Sequence, residues 1–241
     1  MSKWPVVLFV FFVFPLLGQE INDHFAASYF ENQVFAHRGG YAYGPENTVN
    51  TIMNNLHAGV TAIVVDVQMT ADNKLVLFHD DTLNGVLDTE KRIGIDEISL
   101  EELKKIPLKD RSQGLQYVAT LEELILEVSQ LVASRTKKDF LLELDFKPHG
   151  EHTEVAISEL LKLVEQYEVK YQDALYNYFF VSSFYPEVLK ALNNRNPKVR
   201  KAFAVYDSPK ESKFLARLAI WFSPIIVRRF EACIIEPNMC M

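Results

Sequence analysis

Seven side chains in the first 150 residues could act together on a charged substrate: His37 and Arg38, Asp66, His79 and Asp80, and Asp145 and Lys147. Two histidines can serve as general base and general acid on opposite sides of a displaced group. Carboxylates such as Asp66 and Asp145 can hold Mg²⁺ or Ca²⁺, which take oxygen ligands. Arg38 and Lys147 can neutralise charge on phosphate oxygens. Acid, base, divalent cation and guanidinium together suit the hydrolysis of a phosphodiester. Zinc would be an alternative use of the histidines, but no HExxH or other close-spaced ligand pair supports it. Alone, each of these residues is more often a hydrogen-bonded structural group or a helix cap. The reading rests on their joint pattern.

That pattern is positional. Short apolar runs alternate with helical ones, and the polar residues follow the apolar runs. Strand candidates are Gln33–Ala36, Ala62–Val67, Lys74–Phe78, Phe140–Phe146, Tyr178–Ser182, Arg200–Val205 and Ala232–Ile235. Helices are expected over Asn47–His57, from Thr120 to about Val132, over Thr153–Tyr167 and over Pro186–Leu192. Thr120-Leu-Glu-Glu123 is a capping box. Ala156, Leu160, Leu163, Val164 and Tyr167 share one helical face. Strand then helix, repeated, implies a parallel sheet with helices outside. In a parallel α/β barrel the catalytic residues sit where strands end. His37, Asp66, His79 and Asp145 are then expected at the ends of four successive strands, around one mouth.

The bulk numbers bound the rest. The chain has 241 residues, 49% of them hydrophobic, enough for one large core and against disorder. Lys plus Arg is 25 and Asp plus Glu is 32, a net charge of −7, which argues against nucleic-acid binding. Cys233 and Cys240 stand close together near the end and make no disulfide framework. Residues 1–18 carry one positive charge, Lys3, then an apolar run from Val6 to Leu17. That is the layout of a signal peptide or short membrane anchor, and it predicts the secretory pathway, with the protein secreted or membrane-associated. The run falls short of the roughly 20 residues a spanning helix needs. Residues 33–241 form the expected barrel domain. Phe214–Phe230 (FLARLAIWFSPIIVRRF) reads either as an outer helix broken at Pro224 or as a stretch lying in a membrane interface.

The ordered set HRG…PENT, Val65-Asp66-Val67-Gln68-Met69-Thr70, Phe78-His79-Asp80, Thr120-Leu-Glu-Glu-Leu124, Asp145-Phe-Lys147 and Ser182-Ser-Phe-Tyr-Pro-Glu-Val-Leu189 resembles the glycerophosphodiester phosphodiesterase family. The likeness is greatest to its membrane-associated animal branch. The resemblance implies a TIM-type (β/α)8 barrel of the phospholipase-C-like phosphodiesterase superfamily. It implies hydrolysis of glycerophosphodiesters or lysophospholipid-type substrates to sn-glycerol 3-phosphate and an alcohol. His37 and His79 would be the acid/base pair, Arg38 and Lys147 would contact the phosphate, and Asp66 and Asp145, with Glu46 of PENT beside them, would serve a Mg²⁺ or Ca²⁺ ion.

Three departures qualify the likeness. Where the family has Glu-X-Asp on its second strand, with both carboxylates on the metal, this chain has Val64-Val65-Asp66. Asn84-Gly85 stands where an arginine is usual. The chain reaches Met241 without the family's eighth strand, which predicts a barrel truncated before that strand. A catalytically impaired relative that binds lipid headgroups or membrane, and a phospholipase-D-like lyase acting on choline lipids, are therefore the alternative functions.

Overall fold

Strand β1, Ala62–Met69, is buried along its whole length. Its β-branched, continuous apolar sequence suits a strand covered on both faces. A computed structural model describes the protein over residues 8–9, 34–40, 43–134, 139–171, 175–204 and 230–231. In it, β1 pairs in parallel with β3 (Leu141–Phe146), β3 with β4 (Phe179–Ser183), and β4 with β5 (Lys201–Phe203). On the other side of β1, Ala36 makes a parallel bridge to Ile63. The parallel segments thus lie side by side in chain order, without the reversal that marks a doubly wound open sheet.

Helices α1 (Val49–His57), α3 (Leu121–Ala133), α4 (Thr153–Tyr171) and α5 (Pro186–Arg195) connect these segments. The short α2, Leu100–Leu103, lies in the long connection before α3. Three of these starts have a clear local cause. Thr48 caps α1 by accepting from the Thr51 N–H, Thr120 and Glu123 close a capping box on α3, and Pro186 occupies the first turn of α5. Outward-facing strand residues Ile63, Val65, Leu142, Leu144, Phe146 and Val181 pack against Leu121, Leu124, Ile157, Leu160 and Val188 of the helices. A fully buried side chain such as Phe146 contributes about 1.5 to 3 kcal/mol. On the inner face, Leu141, Phe180 and Ala202 cluster with Phe35, whose ring meets Phe180 edge-on at 6.2 Å.

One expected barrel strand takes another role. β2, Leu75–Leu77, runs antiparallel to β1, with Val67 opposite Leu77 and Met69 opposite Leu75. Only residues 70–74 connect them, and a parallel crossover needs about a dozen or more. The turn is held by Thr70 Oγ1, which accepts from the Lys74 N–H, and by left-handed Asn73. The expected strand Lys74–Phe78 thus exists, but the short connection before it sets its direction. β1 and β2 form a hairpin in which β2 is the antiparallel edge strand of the same five-stranded sheet. The chain after it builds a second small core from Val76, Phe78, Leu83, Leu87, Ile95, Leu103 and Leu108.

Leu8–Phe9 and Phe230–Glu231 form a separate two-residue antiparallel pair. The rest of the apolar leader, most of Phe214–Phe230, Ala232–Ile235, and both cysteines lie outside the described residues.

Candidate active site

The chain leaves its first parallel segment through a tight turn. Arg38, Gly39 and Gly40 all have positive φ, at 52°, 84° and 87°. Glycine is required at position 39, because a Cβ there would lie 2.9 Å from Ile52 Cγ1. The turn is fastened from α1 by Asn55 Nδ2, which donates to the Gly39 carbonyl at 2.9 Å, and by the Asn47 N–H, which donates to the Arg38 carbonyl at 2.9 Å. His37 and Arg38 are thereby held at the end of the segment. Arg38 Nη1 donates to both carboxylate oxygens of Glu46 at 3.1 Å. Its Nε lies 4.0 Å from Asp66 Oδ2.

Asp66 and Asp145 are register partners on β1 and β3, one rung before the parallel pairing stops at Val67 and Phe146. Lys147 lies just beyond. Its Nζ donates to Asp145 Oδ2 at 2.9 Å and lies 3.0 Å from Asp66 Oδ1. Asp66 is also gripped by Asn47, whose Nδ2 donates to Asp66 Oδ2 at 2.8 Å and whose Oδ1 accepts from the Asp66 N–H at 3.1 Å.

His79 reaches the same mouth by the hairpin. The Phe78 N–H donates to the Asp66 carbonyl at 3.1 Å, which fixes His79 next to the end of β1. Gln68 Nε2 donates to the carbonyls of His79 and Asp80 at 3.1 and 2.8 Å. The His79 Nδ1 lies 2.8 Å from Asp80 Oδ1, which orients the ring.

The electrostatics tie the set together. Burial holds the His37 imidazole below its ordinary pKa; Asp66 and Glu46 oppose this, while Arg38 and His79 add to it. Burial works against the Asp66 carboxylate, but Lys147 and the Asn47 amide outweigh it and hold its pKa low. Burial raises Asp145, against the pull of Lys147. Burial likewise works against charged Lys147, yet the two carboxylates keep its pKa above the usual value. One group was not foreseen. Glu143, two residues before Asp145, is buried on the inner face, and its burial pushes it up to about 8, with Asp145 and Asp66 adding and the nearby Ser182 hydroxyl opposing.

His37, Arg38, Asp66, His79, Asp80, Asp145 and Lys147 are therefore brought together, although His79 and Asp80 arrive by an antiparallel strand. Glu46, the eighth candidate, is placed differently in detail, since it faces Arg38 rather than gathering with the two aspartates. Among the described residues, no three His, Cys, Asp or Glu side chains are grouped as closely as the ligands of one ion. Sequence reasoning missed Asn47, Gln68 and Glu143. Asn47 carried a weak signal as the third residue of PENT, and asparagine tolerates the left-handed conformation (φ 51°) seen there. Glu143 carried a stronger one, a second acid two residues before Asp145 in a strand whose other residues are leucine and phenylalanine.

The singly wound parallel strands, the outer helices and the polar mouth at the strand ends define a TIM-type barrel protein. The chain belongs to the glycerophosphoryl diester phosphodiesterase family, whose model matches residues 37–224. Mouse glycerophosphodiester phosphodiesterase 1 is 27% identical over 165 residues, 68% of this chain and 46% of the relative. A glycerophosphodiester phosphodiesterase of Bacillus altitudinis is 29% identical over 178 residues, 73% of this chain and 67% of the relative. Animal and bacterial relatives are thus equally similar, and the membrane-associated animal branch is not singled out. The chain spans about half the length of the mouse protein. Among solved structures, an Oleispira antarctica phosphodiesterase in complex with the product sn-glycerol-3-phosphate superposes with a TM-score of 0.60 at 25% identity, over 80% of this chain and 74% of that one. A Parabacteroides distasonis glycerophosphodiester phosphodiesterase, at 24% identity and a TM-score of 0.56, covers 76% of this chain and 69% of its own and shares the fold.

Proposed function

We propose that the chain hydrolyses glycerophosphodiesters to sn-glycerol 3-phosphate and an alcohol. The observation that carries this reading is the convergence of two histidines, two cations and two aspartates on one barrel mouth, each electrostatically coupled to others of the set. Family membership supports it, as does the product found in the Oleispira phosphodiesterase.

In this reading Arg38 and Lys147 bind the phosphate oxygens. His37, kept neutral by its surroundings, takes a proton from the attacking water. The water oxygen bonds to phosphorus, and the bond from phosphorus to the alcohol oxygen breaks. Protonated His79, oriented by Asp80, gives its proton to that oxygen. Asp66 fixes the geometry between Arg38, Lys147 and Asn47.

A divalent cation, Mg²⁺ or Ca²⁺, fits the donor set. Among the described residues, Asp145 Oδ1 is a buried carboxylate oxygen without a hydrogen-bond partner, a costly state that a hard cation relieves. Asp66 and Asp145 would hold the ion, with Glu46 nearby on Arg38. When bound, it would neutralise charge on the phosphate oxygens.

The same reading places the chain in the secretory pathway, on the apolar character of residues 6–17. It treats Phe214–Phe230 as a membrane-surface contact, on its Trp and Arg content. Among the described residues no helix is long and apolar enough to cross a membrane.

The test is product identification by ³¹P NMR with glycerophosphocholine, glycerophosphoinositol and lysophosphatidylcholine, in Mg²⁺, in Ca²⁺ and in chelator. Glycerol 3-phosphate from a glycerophosphodiester supports the reading. A cyclic phosphate identifies a lyase instead. Binding without turnover by the folded chain identifies an impaired headgroup-binding relative.

A further inference from the structure

The inner face of the barrel holds a carboxylate with no role in the chemistry described so far. Val64 and Glu143 are register partners on β1 and β3, as Asp66 and Asp145 are two residues further on. Alternate residues of a strand share a face. The four side chains therefore form two layers on the inner face, Asp66 with Asp145 at the mouth and Val64 with Glu143 directly beneath. Glu143 is only 1% exposed, and among the described residues its Oε1 has no hydrogen-bond partner. Asp145 Oδ1, in the layer above, has none among them either. Around Glu143 the register partners are Val64 and Phe180, Leu141 lies below it on the same face, and the Ser182 hydroxyl lies beside its carboxyl group.

Packing does not account for this acid. Leucine or glutamine would fill the space without the desolvation cost of a carboxyl group that lacks full hydrogen bonding. Carboxylate oxygens left without hydrogen-bond partners on two adjacent layers of one face, though not grouped among the described residues as the ligands of an ion, are of the kind a hard cation gathers. Val64 cannot supply one from its strand, whereas Glu143 supplies one at the same level from the strand beside it.

We infer that Glu143 is a third protein ligand of the divalent-cation site, delivered by β3 in place of a carboxylate at position 64 of β1. This rests on the reading that Asp66 and Asp145 hold a cation. Cation binding draws the three carboxylates closer together than they now stand. It also releases Lys147 Nζ, which bridges the two aspartates. The flexible stem of lysine allows that movement toward a substrate phosphate.

Calorimetric titration of the full chain with Mg²⁺, Ca²⁺ and Mn²⁺ tests the assignment without any substrate. Wild type is expected to bind one ion saturably, and Asp145→Asn to lose it. Glu143→Gln, nearly isosteric, should weaken Kd at least about tenfold while its circular dichroism stays native. The double variant Val64→Glu/Glu143→Val should regain most of that affinity, because it returns the carboxylate to β1. If Glu143→Gln binds the ion as tightly as wild type while Asp145→Asn does not, Glu143 is no ligand and the cation reading stands alone. If wild type binds no ion, both fall. Should the double variant misfold, Glu143→Gln decides the matter.

Discussion

Asn47 and Asp66 hold each other twice, through Asn47 Nδ2 on the Asp66 carboxylate at 2.8 Å and through Asn47 Oδ1 on the Asp66 backbone N–H at 3.1 Å. The pair joins the loop before α1 to the rung of β1 that faces the mouth. It fixes Asp66 while Lys147 and Arg38 approach from other sides. A single side-chain amide thus sets the position of the carboxylate on which three cationic or donor groups converge.

Asn47→Ala leaves two buried partners unsatisfied, a state that costs about 1 to 3 kcal/mol. Thermal unfolding should show that loss. Turnover should fall more than KM rises, because Asp66 loses its orientation before the substrate loses its phosphate contacts.

Asp80 acts through His79. Asp80→Asn keeps the shape of the side chain and removes the charge that orients Nδ1. A positioned acid or base contributes about 10²- to 10⁴-fold, and part of that should disappear from kcat. The fold, read by circular dichroism, should be unchanged. A variant as active as wild type would make Asp80 a surface partner only.

The pH profile follows from His37. A base must be neutral to accept a proton, so activity is present above the His37 pKa and lost as pH falls through it. Burial holds that pKa below the ordinary value. The acid limb of kcat/KM should therefore inflect below about pH 6.5. Arg38 adds to the depression, so NMR titration of the His37 ring in Arg38→Gln should give a higher midpoint than in wild type. A lower midpoint would contradict the electrostatic assignment.

Gly39 couples the fold to the chemistry. Gly39→Ala places a methyl 2.9 Å from Ile52 Cγ1, at a φ of 84°. The strain of such a backbone position is on the order of 1 to 3 kcal/mol. Relief must come from the His37–Gly39 turn or from α1. Stability and activity are expected to fall together, with the larger effect on activity.

Much of this was legible in the chain. The apolar run of β1, the Thr120 capping box, the amphipathic face of α4 and Pro186 at the start of α5 all lie where their local chemistry indicated. The seven mouth residues were legible because polar groups directly after apolar runs mark strand ends. The direction of β2 was missed because an alternating or continuous apolar run does not encode which way a strand runs; the five-residue connection from Thr70 to Lys74 does. Asn47 and Gln68 were missed because hydrogen bonds to Asp66 and to the His79 carbonyl cross long stretches of sequence. Glu143 was visible as an acid in a buried strand, but its place beside the site came from register, since nothing local says that Val64 stands opposite it.

The most direct test of the central claim is release of sn-glycerol 3-phosphate from glycerophosphodiesters by the purified full chain, beside His37→Ala and His79→Ala proteins of verified fold. The account predicts release by wild type and loss of at least about 10²-fold in each variant. Equal release by wild type and both variants, or none from a folded wild-type chain, would contradict it.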